Sequence, residues 1–67
     1  MTVGQKIAQY RNAAGLSQRA LAKKSDITSQ AINQYESGKR IPDLKCFISI
    51  CRSFEISLDA FMDGIAM

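Results

Sequence analysis

The chain contains no histidine, no tryptophan, one proline and two cysteines among its 67 residues. Without histidine, the usual general base and imidazole metal ligand are missing, and the six carboxylates are scattered along the chain. No Gly-rich phosphate cradle replaces them, and neither thiol has a candidate general base near it in the pattern, so an enzyme is the least favoured class. The two cysteines, Cys46 and Cys51, do not form a disulfide framework. On one helix they stand about 7.5 Å apart along the axis, beyond the roughly 7 Å that a bridge tolerates. They read as small buried thiols of a reducing compartment. No apolar run approaches the roughly 18 residues of a membrane span, and no basic-then-apolar segment opens the sequence, so a cytoplasmic protein is expected.

What is present fits one small globular domain covering residues 1–67, with 46% hydrophobic and 22% charged residues. The net charge of +3 says less than its distribution. Residues 1–52 carry all nine basic side chains and only Asp26, Glu36 and Asp43, whereas residues 53–67 carry Glu55, Asp59 and Asp63 and no base. Such polarity suits a domain with one end toward phosphate, although charge scatter on a small protein gives similar patterns.

Along the chain, a cap residue, a short amphipathic stretch and a breaker recur, and no strand pattern appears. Thr2 and Gln5 form a capping-box pair, followed by Val3, Ile7, Tyr10 and Ala14 at helical spacing, with Gly15 as terminator. Ser17 caps a second helix, Gln18 to Lys24, with Leu21 and Ala22 inward. After a turn at Ser25-Asp26-Ile27, Thr28 caps a third helix to about Ser37, with Ile32 and Tyr35 inward and Gly38 as its end. Beyond Pro42, Asp43 caps a fourth helix with an apolar stripe of Leu44, Phe47, Ile50, Cys51 and Phe54, and Ser57 caps a last one with Leu58, Phe61 and Met62. Five short helices with brief connections predict an all-α, compact orthogonal bundle.

Helices two and three, about Gln18 to Ser37, have the length and turn of a helix–turn–helix. Ala22 is small enough for a close helix crossing. Asp26 tolerates the left-handed turn position, and Ile32 anchors the third helix, at offsets of zero, four and ten. Leu16-Ser17-Gln18, Leu21-Ala22, Ile32, Tyr35-Glu36-Ser37-Gly38-Lys39-Arg40 with Pro42, and Ile56-Ser57-Leu58-Asp59 before Phe61-Met62 resemble the lambda-repressor-like family of phage repressors, Cro proteins and bacterial regulators. Two departures stand out: Asp26 replaces the usual glycine of the turn, and Glu55 replaces the glycine that normally ends the fourth helix, unless that helix ends differently.

The resemblance implies a third helix in the major groove of double-stranded DNA. The residues agree. With Ile32 and Tyr35 inward, Ser29, Gln30, Asn33 and Gln34 face out in a run without charge, where a merely solvated face normally carries Lys or Glu. Amides match the adenine edge, so these four are the expected base readers, with Asn33 also suited to a phosphate. Gln18, at a helix N-terminus, is placed to hold phosphate, and in the family a matching Gln clamps the backbone. Ser17 and Thr28 serve as caps and as candidate phosphate donors. Ser37, Lys39 and Arg40 follow the third helix along the backbone. The family also pairs the residues matching Arg11 and Glu36; this role is chiefly structural, with Arg11 also near phosphate.

No cofactor, metal or small-molecule ligand is implied. The expected function is transcriptional regulation, as a repressor or controller, by a homodimer on an approximately palindromic operator. Phe61, Met62, Ile65 and Met67 form an apolar C-terminal segment, readable as the last turn of the core or, preferably, as the dimer contact. The competing reading is a protein-interaction module on the same fold, such as an antitoxin or regulatory adaptor.

Overall fold

The computed structural model describes residues 1–65 and has five helices: α1 (Val3–Ala13), α2 (Gln18–Ser25), α3 (Ser29–Ser37), α4 (Leu44–Ser53) and α5 (Leu58–Met62). Each begins at a side-chain cap predicted from the sequence. Thr2, Ser17, Thr28, Asp43 and Ser57 each accept a hydrogen bond from the third amide of the helix that follows. Thr2 and Gln5 close a reciprocal capping box, with the Thr2 amide donating to Gln5 Oε1 at 3.0 Å. These local bonds matter because helices of 5 to 11 residues are too short to persist unaided.

The helices end where the backbone turns left-handed. Gly15 and Gly38 have φ of +72° and +83°. Asp26 and Glu55, the two departures from glycine, adopt the same conformation at φ 57° and 56°. α2 runs one residue past its expected end, to Ser25, whose hydroxyl donates back to the Leu21 carbonyl at 2.7 Å.

α3 packs on α1 and α2, and α4 packs on α2 and α5, so α3 is held from two sides with its remaining face outward. Ile7, Leu21, Ala22, Ile32, Tyr35, Ile50, Cys51 and Phe61 form the core. Tyr10 lies against two rings, with centroids 5.4 Å from Phe54 and 5.9 Å from Phe61, which joins α1 to the C-terminal helices. Gly4 makes the tightest helix contact. A Cβ there would land on the Tyr35 carbonyl oxygen and sit 3.0 Å from the Glu36 oxygen, so only glycine lets α1 approach α3 this closely.

Three expectations about burial are corrected. Ala14 is the exposed C-cap of α1 rather than part of its inward face. Leu44 is 66% exposed, because it opens α4 in a first turn that projects beyond the core. Phe61 has no exposed surface, so its side chain belongs to the core and has nothing to offer a dimer contact. Met62 and Ile65 are half-buried against the same core, and Met67 lies outside the described residues.

Candidate nucleic-acid interface

The α2–α3 unit presents two helix N-termini side by side. Ser17, Gln18 and Arg19 at the start of α2, and Ser29, Gln30 and Asn33 on α3, line one open groove with Arg11 at its floor. Ser29, Gln30 and Asn33 are exposed and Gln34 is half-buried, while Ile32 and Tyr35 are buried, so the predicted inward and outward faces of α3 are as expected. Arg19 was not singled out by sequence. Its signal was available: it follows Gln18 in the first turn of α2, where amides and a guanidinium reinforce one another toward an anion.

Beneath the groove lies a side-chain network that no single helix predicts. Arg11 grips the Glu36 carboxylate with two donors, Nε to Oε2 at 2.7 Å and Nη2 to Oε1 at 3.0 Å, and its Nη1 donates to the Leu16 carbonyl at 2.8 Å. Little of either side chain is exposed, 15% for Arg11 and 9% for Glu36. The paired carboxylate holds the guanidinium proton even more firmly than usual. Gln18 Nε2 also donates to Glu36 Oε1 at 3.2 Å, and Asn33 Nδ2 donates to Gln18 Oε1 at 3.3 Å. Helices α1, α2 and α3 are thus tied together directly under the groove.

Past α3, the chain turns at Gly38 and its last carbonyls are taken by the loop. The Lys39 and Arg40 amides both donate to the Gln34 carbonyl, at 2.9 and 3.2 Å. Lys39 and Arg40 are exposed, and Arg40 Nη1 donates to Gln34 Oε1 at 3.3 Å. The exposed Ser37 hydroxyl donates to the Gln34 carbonyl at 3.2 Å. The caps Ser17 and Thr28 keep exposed hydroxyls while accepting from Ala20 and Ala31. The predicted contact residues fall in three groups along the chain, the start of α2, the outward face of α3 and the loop after it, and of these Arg11, Ser17, Gln18, Ser29, Gln30 and Asn33 share the groove.

A helix–turn–helix family model matches residues 7–61, most of the chain. The chain belongs to the helix–turn–helix family. The HTH-type transcriptional activator BcrR of Enterococcus faecalis is 30% identical over 64 residues, covering 96% of this chain and 31% of that protein. The chain spans about a third to a half of the length of the curated relatives it matches. The restriction-modification controller protein C.AhdI from Aeromonas hydrophila superimposes with a TM-score of 0.84 at 27% identity, covering 88% of this chain and 89% of that one. The DNA-binding domain of the P22 c2 repressor has the same fold, with a TM-score of 0.89 at 23% identity, over 96% of this chain and 84% of that domain. No helix among the described residues is long and apolar enough to cross a membrane.

Proposed function

We propose that this helix–turn–helix domain binds an approximately palindromic operator as a homodimer, with α3 in the major groove, and regulates transcription as a repressor or controller. The observation that carries this reading is the uncharged outward face of α3. Ser29, Gln30 and Asn33 share a groove with the cationic Arg19, and Gln34 accepts a hydrogen bond from Arg40, which follows Lys39 in the loop after α3. Neutral donors and acceptors discriminate base edges, while these cations and the helix N-terminus engage phosphate. Gln18, Arg19, Ser17, Thr28, Ser37, Lys39 and Arg40 are the proposed phosphate contacts, with Arg11 acting mainly through Glu36.

The homodimer is supported by size and surface. Recognition helices of a dimer stand about 34 Å apart on successive major grooves. The Cα extents of this domain are 26 × 25 × 22 Å, so two copies side by side, each widened by its side chains, meet that spacing. Leu44 and Ile48 form an exposed apolar stripe one turn apart on α4, at 66% and 39%, and Ile41, 76% exposed, lies in the loop before that helix. With Phe61 withdrawn into the core, this stripe is the apolar surface best placed for a second copy, with Met62 and Ile65 as secondary candidates. The likeness to a restriction-modification controller supports the controller reading.

Selection from random duplex DNA, with stoichiometry measured on the winning sequence, tests the proposal. The expected product is a palindrome bound by two chains. Gln30→Ala or Gln34→Ala should cost roughly 1–3 kcal/mol at that site and spare nonspecific binding. Lys39→Ala should weaken all sequences alike and flatten the salt dependence. Undiminished binding by both glutamine variants would refute the readout assignment. Absence of salt-sensitive DNA binding, with a different protein chain bound instead, would favour the interaction module.

A further inference from the structure

The network under the groove fixes more than position: it fixes the polarity of one base reader. A carboxylate accepts hydrogen bonds and cannot donate them, so Glu36 determines which end of Gln18 faces it. Gln18 must present Nε2 to Glu36 Oε1, at 3.2 Å, which turns its Oε1 toward α3. A carbonyl oxygen only accepts, so Asn33 must present Nδ2 to it, at 3.3 Å. The Asn33 Oδ1 is then the atom left without a hydrogen-bond partner among the described residues, on an exposed side chain of the outward face. Arg11, with two bonds into the same carboxylate, holds Glu36 in place, so the relay has a fixed origin.

We propose that Glu36, acting through Gln18, locks the Asn33 amide so that Oδ1 faces the groove as an acceptor, making Asn33 a reader of the exocyclic amine of adenine or cytosine. This inference rests on the reading of α3 as the recognition helix. In the major groove, adenine N6 and cytosine N4 are the amino donors, whereas guanine O6 and thymine O4 accept. A free asparagine can rotate its amide to suit either kind of edge. Asn33 keeps a second Nδ2 hydrogen, but turning its nitrogen to the place of Oδ1 breaks the bond to Gln18, so a keto group facing that place is disfavoured. Gln18 and Glu36 are positioning residues here, acting on the base only through Asn33.

The test uses the parent protein, Asn33→Ala and Gln18→Ala, each confirmed folded by thermal melting, on the operator selected from random DNA. The base pair whose identity Asn33→Ala ceases to discriminate is rebuilt without its major-groove amine, with purine for adenine or 2-pyrimidinone for cytosine. The parent is expected to lose roughly three- to tenfold in affinity on amine removal, the worth of one hydrogen bond. Asn33→Ala should lose nothing further. Gln18→Ala binds more weakly overall, yet its loss should shrink to under about twofold when that pair instead carries a keto group in place of the amine, guanine for adenine or thymine for cytosine, because the released amide can turn and donate to it. The relay is overturned if the parent tolerates amine removal, if Gln18→Ala discriminates against the keto group as strongly as the parent, or if Asn33→Ala weakens all sequences alike. A parent that enriches no sequence overturns the DNA-binding reading, and this proposal with it.

Discussion

Replacing Gly4 by alanine sets two effects of opposite sign against each other. Gly4 lies within α1, where alanine is the better helix former by up to about 1 kcal/mol. Against that gain stands the α1–α3 contact. The added Cβ would fall on the Tyr35 carbonyl oxygen, with the Glu36 oxygen at 3.0 Å and the Glu36 Cα at 3.1 Å. All three are backbone atoms of α3, so no side chain can rotate aside and the helices must separate. Overpacking of this kind costs roughly 1–3 kcal/mol, and a clash with backbone belongs at or above the upper end. The shift would also pull Arg11 on α1 from Glu36 on α3, whose bonds are 2.7 and 3.0 Å. A net loss of about 2–3 kcal/mol is expected, which lowers the melting temperature of a domain this small by roughly 10–20 °C. Circular dichroism melting of parent and variant measures it. A Gly4→Ala protein that melts at or above the parent would show that propensity dominates and that α1 does not press on α3 as described.

The left-handed residues predict the reverse. Asp26→Gly and Glu55→Gly, at φ 57° and 56°, should each stabilise by up to about 1 kcal/mol, measured by denaturant unfolding; destabilisation by either would contradict the assigned turn. The Asp43 cap gives a pH signature. The hydrogen bond from the Cys46 amide, at 2.8 Å, holds the Asp43 carboxyl below its ordinary value of 3.8. Its contribution is therefore complete above pH 3.8 and disappears as pH falls through the lower folded-state value. The melting-temperature gap between parent and Asp43→Asn should narrow below that range, and a gap that widens in acid would exclude the assignment.

What could be read in the sequence is what depends on neighbours a few residues apart. Thr2, Ser17, Thr28, Asp43 and Ser57 each cap an amide three positions on, so composition and order suffice to place all five helix starts. The inward pair Ile32 and Tyr35 and the outward Ser29, Gln30, Asn33 and Gln34 follow from helical periodicity alone. Periodicity does not say how deep a face lies once elements pack. Leu44 and Phe61 show this from both sides, one projecting past the end of the core and the other closed inside it.

The helix–turn–helix and the neutral outward face of α3 were therefore legible in the sequence, because short-range caps and a 3.6-residue repeat fix them. Three features were decided only by the tertiary structure: the closeness that reserves position 4 for glycine, the burial of Phe61, and the relay from Glu36 through Gln18 to Asn33. Each brings together groups from separate helices, and the two relay bonds span 18 and 15 residues of chain. Contacts of that range are set by how helices cross, through packing of the whole core, and no local pattern records them.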